Sequence, residues 1–426
     1  MRLKKRFKGD FSRNVIQLSF FTALSQAIPF LVLPFLQRYF YTPYDFGLFS
    51  SFTAFSSVII AFASLKFELA IVMEEQEKVR FNLLAIGLIS VFAIAFALLI
   101  FGFLLPEQFS QLARFPASPW LLVFLSLSVI GFAGSQVLNY WQNQQKQFKK
   151  IGQSKLIQNA AGESVKVISG ILQFQAIGLI AGRAIGHFLG FIWLCISVLF
   201  NIKAKLMKQV SVNGMRSAAH KHRHFLYFSM PSALLGTFAN NLHILIPQYY
   251  YERAEIGLIG AAFIYIAVPA GIISGSFSQV FYQRISELKT KSDLLHIYWR
   301  FVKQLFLIAI PSAVLLQIIP NSWIGSLLGD SWQGIMPYAK VMAPYLACMF
   351  VSSAVSFIYI RLNRQKQMLG VDIIRVALSV ISILIGHQLY HDPMITIMFY
   401  SAAQIISYLI AIAAAIFFIK NASIPE

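Results

Sequence analysis

Apolar runs of about twenty residues recur along almost the whole chain, separated by short polar segments. A helix rising ~1.5 Å per residue needs ~20 apolar residues to cross the ~30 Å hydrocarbon core of a bilayer. On that rule the pattern predicts twelve spans, at 14–37, 47–72, 82–104, 119–140, 154–173, 177–200, 225–249, 257–281, 298–320, 338–360, 369–389 and 394–419. Spans five and six are parted only by a short hairpin near Phe174–Ala176. The run from about Val15 to Leu36 follows the basic segment Arg2, Lys4, Lys5, Arg6, Lys8. It is longer than the ~7–15-residue core of a signal peptide and has no small-residue cleavage site, so it reads as an uncleaved first span.

Composition agrees with the pattern. Hydrophobic residues make up 58% of the 426, and charged residues only 12%, about half the ~25% of a soluble globular chain. The 40 Phe residues suit helices that face lipid. A net charge of +19 raises the possibility of nucleic-acid binding. The placement of the cations excludes it, because they sit in short loops between apolar runs. With the N-terminus in the cytoplasm, 26 of the 35 Lys and Arg residues fall in cytoplasmic segments and 3 outside. That asymmetry orients the chain with both ends in the cytoplasm. Cys195 and Cys348 lie inside apolar runs and imply neither a disulfide nor a metal knuckle. There is no P-loop, no assignable nucleophile triad, and no external loop longer than about 20 residues.

The longest cytoplasmic loop, 201–224, divides the chain into an N-terminal six-helix bundle (1–200) and a C-terminal one (225–426). The first spans of the two halves are alike. Leu33-Pro34-Phe35, Gln37-Arg38-Tyr39 and Asp45-Phe46-Gly47-Leu48 are answered by Ile246-Pro247-Gln248, Tyr249-Tyr250-Tyr251 and Glu255-Ile256-Gly257-Leu258. Six spans is an even number, so two copies insert the same way up. The expected fold is all-α, with two pseudo-symmetric six-helix bundles around a central cavity and a substrate path between halves that rock.

Some side chains do not belong in lipid. A charge at the bilayer centre costs at least ~2.5–3.5 kcal/mol, so it turns inward, toward a partner or a polar path. Candidates for such a path are Glu163 and Lys166 in span five, and Arg183 and His187 in span six. Lys66 and Glu68 in span two and Asp372 and Arg375 in span eleven join them, although both pairs lie close enough to the headgroups to snorkel. Arg183 has no acid in its own span, and a guanidinium grips a phosphate bidentately. Asn240 and Asn241 in span seven suit sugar hydroxyls or bonds between helices. Gly178, Gly182, Gly186 and Gly190, four apart, make a flat strip for a neighbouring helix. The run His220-Lys221-His222-Arg223-His224 reads as a basic loop against anionic headgroups, and Glu74, Glu75 and Glu77 as a solvated turn.

Several stretches resemble the polysaccharide-exporter branch of the multidrug/oligosaccharidyl-lipid/polysaccharide exporter superfamily, in particular the Wzx-type O-antigen flippases. They are Tyr44-Asp45-Phe46-Gly47-Leu48-Phe49, the run Ala63 to Ile71, Gly178 through Gly186, Phe228-Ser229-Met230-Pro231, Pro269, and Phe277 to Phe281. The resemblance implies a flippase, not an enzyme. It would move an undecaprenyl-pyrophosphate-linked oligosaccharide across the bacterial inner membrane without a cofactor, coupled to an H+ or Na+ gradient. Its partners would be the lipid-linked glycan, membrane lipids and other polysaccharide assembly proteins, and not nucleic acid. Three alternatives stand beside it: a multidrug antiporter of the same superfamily, a membrane-bound glycan polymerase or ligase, and a lipid II flippase, which would more often carry extra spans. Among Lys66, Lys166, Arg183, Arg375, Glu68, Glu163 and Asp372 the cations outnumber the acids by one, which leans toward an anionic substrate.

Overall fold

A computed structural model describes residues 21, 24–288, 290–362 and 364–422. Among these the chain is helical throughout, with no strand. The helices are α1 (24–39), α2 (Pro43–Ala63), α3 (Glu68–Met73), α4 (Glu77–Leu104), α5 (Pro106–Ala113), α6 (Pro119–Gln144), α7 (Phe148–Ile171), α8 (Gln175–Gln209) and α9 (Val212–Lys221). They continue as α10 (Met230–Leu245), α11 (Arg253–Glu287), α12 (Lys291–Ile318), α13 (Asn321–Leu328), α14 (Ile335–Val355), α15 (Phe357–Arg361), α16 (Gln365–Tyr390) and α17 (Pro393–Lys420).

Each predicted span meets a helix, and nine helical stretches among the described residues are long and apolar enough to cross a membrane. The other three positions have separate reasons. Part of the first span, with the basic segment before it, lies outside the described residues. Helix α7 carries Lys149, Lys150, Lys155, Glu163 and Lys166 and is too polar. Helix α10 has only 16 residues, because a π-helical turn (Phe225–Ser229) precedes it and a 3-10 turn (Pro247–Tyr249) follows. The protein is therefore an all-α, multi-pass membrane protein, with helices of bilayer length.

The helices form two compact units, one up to Thr237 and one from Phe238 onward. The stretch 201–224, expected as a loop, is largely helical: α8 continues to Gln209, and α9 follows after one turn. Asn82 holds that turn. Its Nδ2 donates to the Gln209 carbonyl at 3.2 Å, and its Oδ1 accepts from the Ser211 N–H at 3.2 Å.

The second predicted span is not continuous. It breaks between α2 and α3, where Leu65 and Lys66 both adopt left-handed φ angles of 55° and 59°. For a non-glycine residue that conformation costs about 1–2 kcal/mol. The break is held by burial of Phe67, Ala70 and Ile71 in the core of the first unit and by the Lys66–Glu68 ion pair at 3.7 Å. At the other end of α2, Thr42 and Asp45 form a capping box behind Pro43, which satisfies orphan N–H groups of the first turn. The second Asp45 oxygen accepts from the Ala176 N–H at 2.9 Å. The α1–α2 turn is thereby tied to the α7–α8 hairpin, which lies at the predicted boundary of spans five and six.

Helices α7 and α8 share an extensive contact through the four glycines. A methyl group built on Gly178 would meet Ser169 Cβ at 2.5 Å, and one on Gly190 would meet Gln158 Cβ at 3.0 Å. On Gly182 it would overlap Lys166 Cγ, and on Gly186 the Gln158 carbonyl oxygen. The backbones approach this closely only because no side chain intervenes. In the second unit, Phe281, Tyr298, Leu305, Val351 and Ile412 belong to a core shared by α11, α12, α14 and α17.

Candidate substrate cavity

Three helices of the first unit enclose a cavity of about 570 Å³ between α1, α6 and α7. Its wall carries six amide side chains: Gln26, Gln136, Asn139, Asn143, Gln158 and Asn159. Tyr140, Lys155 and three serines add further donors and acceptors, and no carboxylate lines it. The polar groups come from one face of each helix. On α6 they sit at 136, 139, 140 and 143, spaced i, i+3, i+4, i+7, and on α7 at 154, 155, 158 and 159, two adjacent pairs four residues apart, so each set shares one helical face. Some of these groups are committed to structure. Asn159 Nδ2 donates to the Ser25 carbonyl at 2.5 Å, and Ser154 Oγ to the Gly190 carbonyl at 2.9 Å. Others are not: Gln136 Oε1, Asn139 Oδ1 and Ser135 Oγ are buried without a protein partner among the described residues. Such orphans are rare in folded proteins. Together they make a concave surface suited to a hydroxyl-rich ligand.

The cluster anticipated around Arg183 adjoins this cavity without lining it. Lys166 Nζ lies 2.6 Å from Glu163 Oε1, with both side chains largely buried. Above Lys166 is the Phe49 ring, 5.4 Å from the ammonium to the ring centroid. The Tyr41 hydroxyl donates to the Lys166 carbonyl at 2.7 Å. Arg183 has no hydrogen-bond or ion-pair partner among the described residues, and its Nε is buried. His187, one turn along α8, is within electrostatic range of both Arg183 and Lys166. It packs edge-on against Phe132, a residue of the cavity wall, with centroids 5.0 Å apart. On α7, Lys155, Asn159 and Glu163 are each four apart, so the polar stripe of the wall runs on to the cluster with ~6 Å of helix rise per step. Glu68, at the break after α2, acts electrostatically on Tyr140 of the wall. Lys66 and Glu68 therefore belong to the same neighbourhood.

In the second unit, Asn240, Asp372 and Arg375 come together. Arg375 Nη2 is 3.2 Å from Asp372 Oδ1, and its Nη1 donates to the Tyr408 hydroxyl at 2.9 Å and to Asn240 Oδ1 at 3.4 Å. The network continues through Ser379, Gln404 and Tyr400, whose ring neighbours Tyr345 and His243. Asn241 is half-buried on α10, beside Asn240.

Two expectations are corrected here. Glu74, expected in a solvated turn, is buried: its Oε2 accepts from Lys221 Nζ at 2.6 Å and bonds His222 Nε2 at 2.8 Å, and its Oε1 accepts from the Gln76 N–H at 3.1 Å. Lys221 and His222, expected against lipid headgroups, are taken up by this contact between the α3–α4 turn and the end of α9. Burial alone would raise the Glu74 pKa, but the bonds from Lys221, Gln76 and His222 outweigh it and hold the carboxyl at about 2. A carboxylate with a depressed folded pKa stabilises the native state above its ordinary pKa near 4.5. That contribution fades as pH falls from there toward 2. Glu74→Gln is expected to remove about 1.5–3 kcal/mol at neutral pH, the range for hydrogen bonds to charged groups. Thermal melts in detergent should show a lower Tm at pH 7 and a difference from wild type that closes below pH 3. Equal Tm values at pH 7 would refute the contribution.

The arrangement of bilayer-length helices has counterparts among solved membrane-protein structures. The chain is similar to lipid II flippase MurJ in an inward closed conformation, with a TM-score of 0.74 and 16% identity, over 94% of this chain and 87% of that one. It is similar to an inward-facing multidrug resistance MATE family transporter of the MOP superfamily, with a TM-score of 0.68 and 11% identity, over 95% of each chain. A MOP superfamily transporter from Pyrococcus furiosus, described by the reverse polarity of its binding pocket, matches with a TM-score of 0.61 and 11% identity over 96% of each chain. None of the curated proteins matches the chain by sequence. Residues 36–337 match the family model described as polysaccharide biosynthesis protein, and the chain belongs to that family.

Proposed function

We propose that this protein is a flippase for an undecaprenyl-pyrophosphate-linked oligosaccharide, an O-antigen or other surface-polysaccharide repeat unit. It works in the bacterial cytoplasmic membrane with both termini inside, by alternating access driven by an H+ or Na+ gradient. The observation that carries this reading is the cavity of the first unit, with six amides, one lysine and no carboxylate in its wall. A glycan head cannot cross hydrocarbon unaided, because its hydroxyls would lose their hydrogen bonds to water. Orphaned amide oxygens supply replacements, and the neighbouring Arg183 supplies a charge for the diphosphate. No covalent step is needed, which speaks against a polymerase or ligase. A multidrug antiporter for cationic substrates fits the shared fold but not a cavity whose one charged side chain is a lysine.

The test is leaflet exposure of a lipid-linked oligosaccharide in proteoliposomes, read by lectin accessibility. Wild type should expose the glycan, and Gln136→Leu with Asn139→Leu should slow exposure about tenfold. Two lost hydrogen bonds at ~0.5–1.5 kcal/mol each account for that factor. Export of a cationic dye with no glycan movement would establish the antiporter instead.

A further inference from the structure

The second unit carries a lipid-shaped double cavity on its exterior. Helices α12 and α17 diverge enough to leave an apolar groove of about 720 Å³ between them. Phe306 and Ile310 of α12 face Leu409, Ala413 and Ile416 of α17 across it. An open hollow of about 520 Å³ lies along the N-terminal half of α12, lined by Ser292, Leu295, His296, Trp299 and Lys303. The two cavities share Trp299 and Lys303, so they meet at that pair. The whole arrangement follows one face of α12: positions 292, 296, 299, 303, 306 and 310 are spaced three or four apart.

The order of chemistry along that face is hydroxyl and imidazole, indole, ammonium, hydrocarbon. Trp and Lys are the residues that settle at the level of lipid headgroups. Lys303 has no hydrogen-bond or ion-pair partner among the described residues, and no carboxylate lines either cavity. The nearby acid, Asp293, accepts from the Thr290 hydroxyl at 2.7 Å in the cap of the helix. A lysine that only snorkelled toward water would need no cavity on its polar side and no groove on its apolar side. From this charge complementarity and shape we propose that the face binds one anionic glycerophospholipid, with the phosphate at Lys303 and an acyl chain in the α12–α17 groove. The site is independent of the transported substrate, so its failure would leave the flippase reading intact.

The experiment is native mass spectrometry of the full chain released from mixed nanodiscs of phosphatidylglycerol and phosphatidylcholine. Wild type is expected to retain one phosphatidylglycerol in preference to phosphatidylcholine. Lys303→Gln should lower that retention about tenfold, by removing the charge. Ala413→Trp should do the same by filling the groove, with Lys303 untouched; Ala413 is exposed, so the larger side chain does not disturb the core. Raised salt should weaken retention in wild type and not in Lys303→Gln. Equal retention of both lipids, retention unchanged in both variants, or preference for an added polyprenyl phosphate over phosphatidylglycerol would each overturn the proposal.

Discussion

Replacing Arg183 by Ala is expected to stop glycan-lipid transport while leaving the protein folded and inserted. The two halves of that expectation come from one observation. Arg183 is a largely buried guanidinium in a membrane-length helix with no partner among the described residues. Keeping a charge at membrane depth costs at least ~2.5–3.5 kcal/mol, and here no internal ion pair offsets it. Removing it should therefore leave Tm unchanged or raise it. Transport should fall, because among the described residues the other cations of the cluster, Lys166 and Lys66, are each paired with a carboxylate. Lys166 is bound to Glu163 at 2.6 Å, and Lys66 is paired with Glu68. Loss of a buried contact to a charged ligand costs about 2–5 kcal/mol, which is at least about 30-fold in rate or affinity. Arg183→Lys keeps the charge and loses the bidentate fork, so it should recover only part of the activity. Normal surface glycan with Arg183→Ala would sink the role. A collapse of Tm in the same variant would make the arginine structural.

The spans were legible because bilayer thickness imposes one long-wavelength rule on the sequence, and α4, α6, α12 and α17 obey it without exception. The break after Ala63 was not legible. Leu65 and Lys66 hold left-handed angles that no residue preference suggests, and what sustains them is the buried packing of Phe67 and Ile71 on distant helices. The burial of Glu74 is hidden for a similar reason: its partners Lys221 and His222 lie almost 150 positions away, and turn composition says nothing about them. The amide wall was legible in principle. Gln136, Asn139 and Asn143 repeat at helical spacing toward the end of α6. Charge draws attention first, however, and neutral amides matter only once three helices bring their faces together. Arg375 and Asn240 make the same point, since periodicity within each helix places both on polar faces but cannot say that the faces meet.

A single methyl group at Gly186 should cost more than the loss of any polar side chain in the cavity. Ala at this position would overlap the Gln158 carbonyl oxygen and lie 2.8 Å from Gly162 Cα. Both are backbone atoms of α7, so no side chain can rotate away, and α7 and α8 must separate. Overpacking a tight interior costs about 1–3 kcal/mol even where side chains can shift, and here every contact from Gly178 to Gly190 is affected together. Gly186→Ala should lower Tm by several degrees, and Gly186→Leu should abolish folded protein on size-exclusion chromatography. Transport should be lost with both, because Gln158 of the cavity wall sits on the displaced backbone. Gly271→Ala is the control: nothing lies within 4 Å of its Cβ position, and Ala is the better helix former by about 1 kcal/mol. That variant should match or exceed wild type. If Gly186→Ala melts like Gly271→Ala, the four glycines are not what brings α7 and α8 together. Ser154, Gln158, Gly162 and Lys166 of α7 would then need another reason to lie against the helix that carries Arg183.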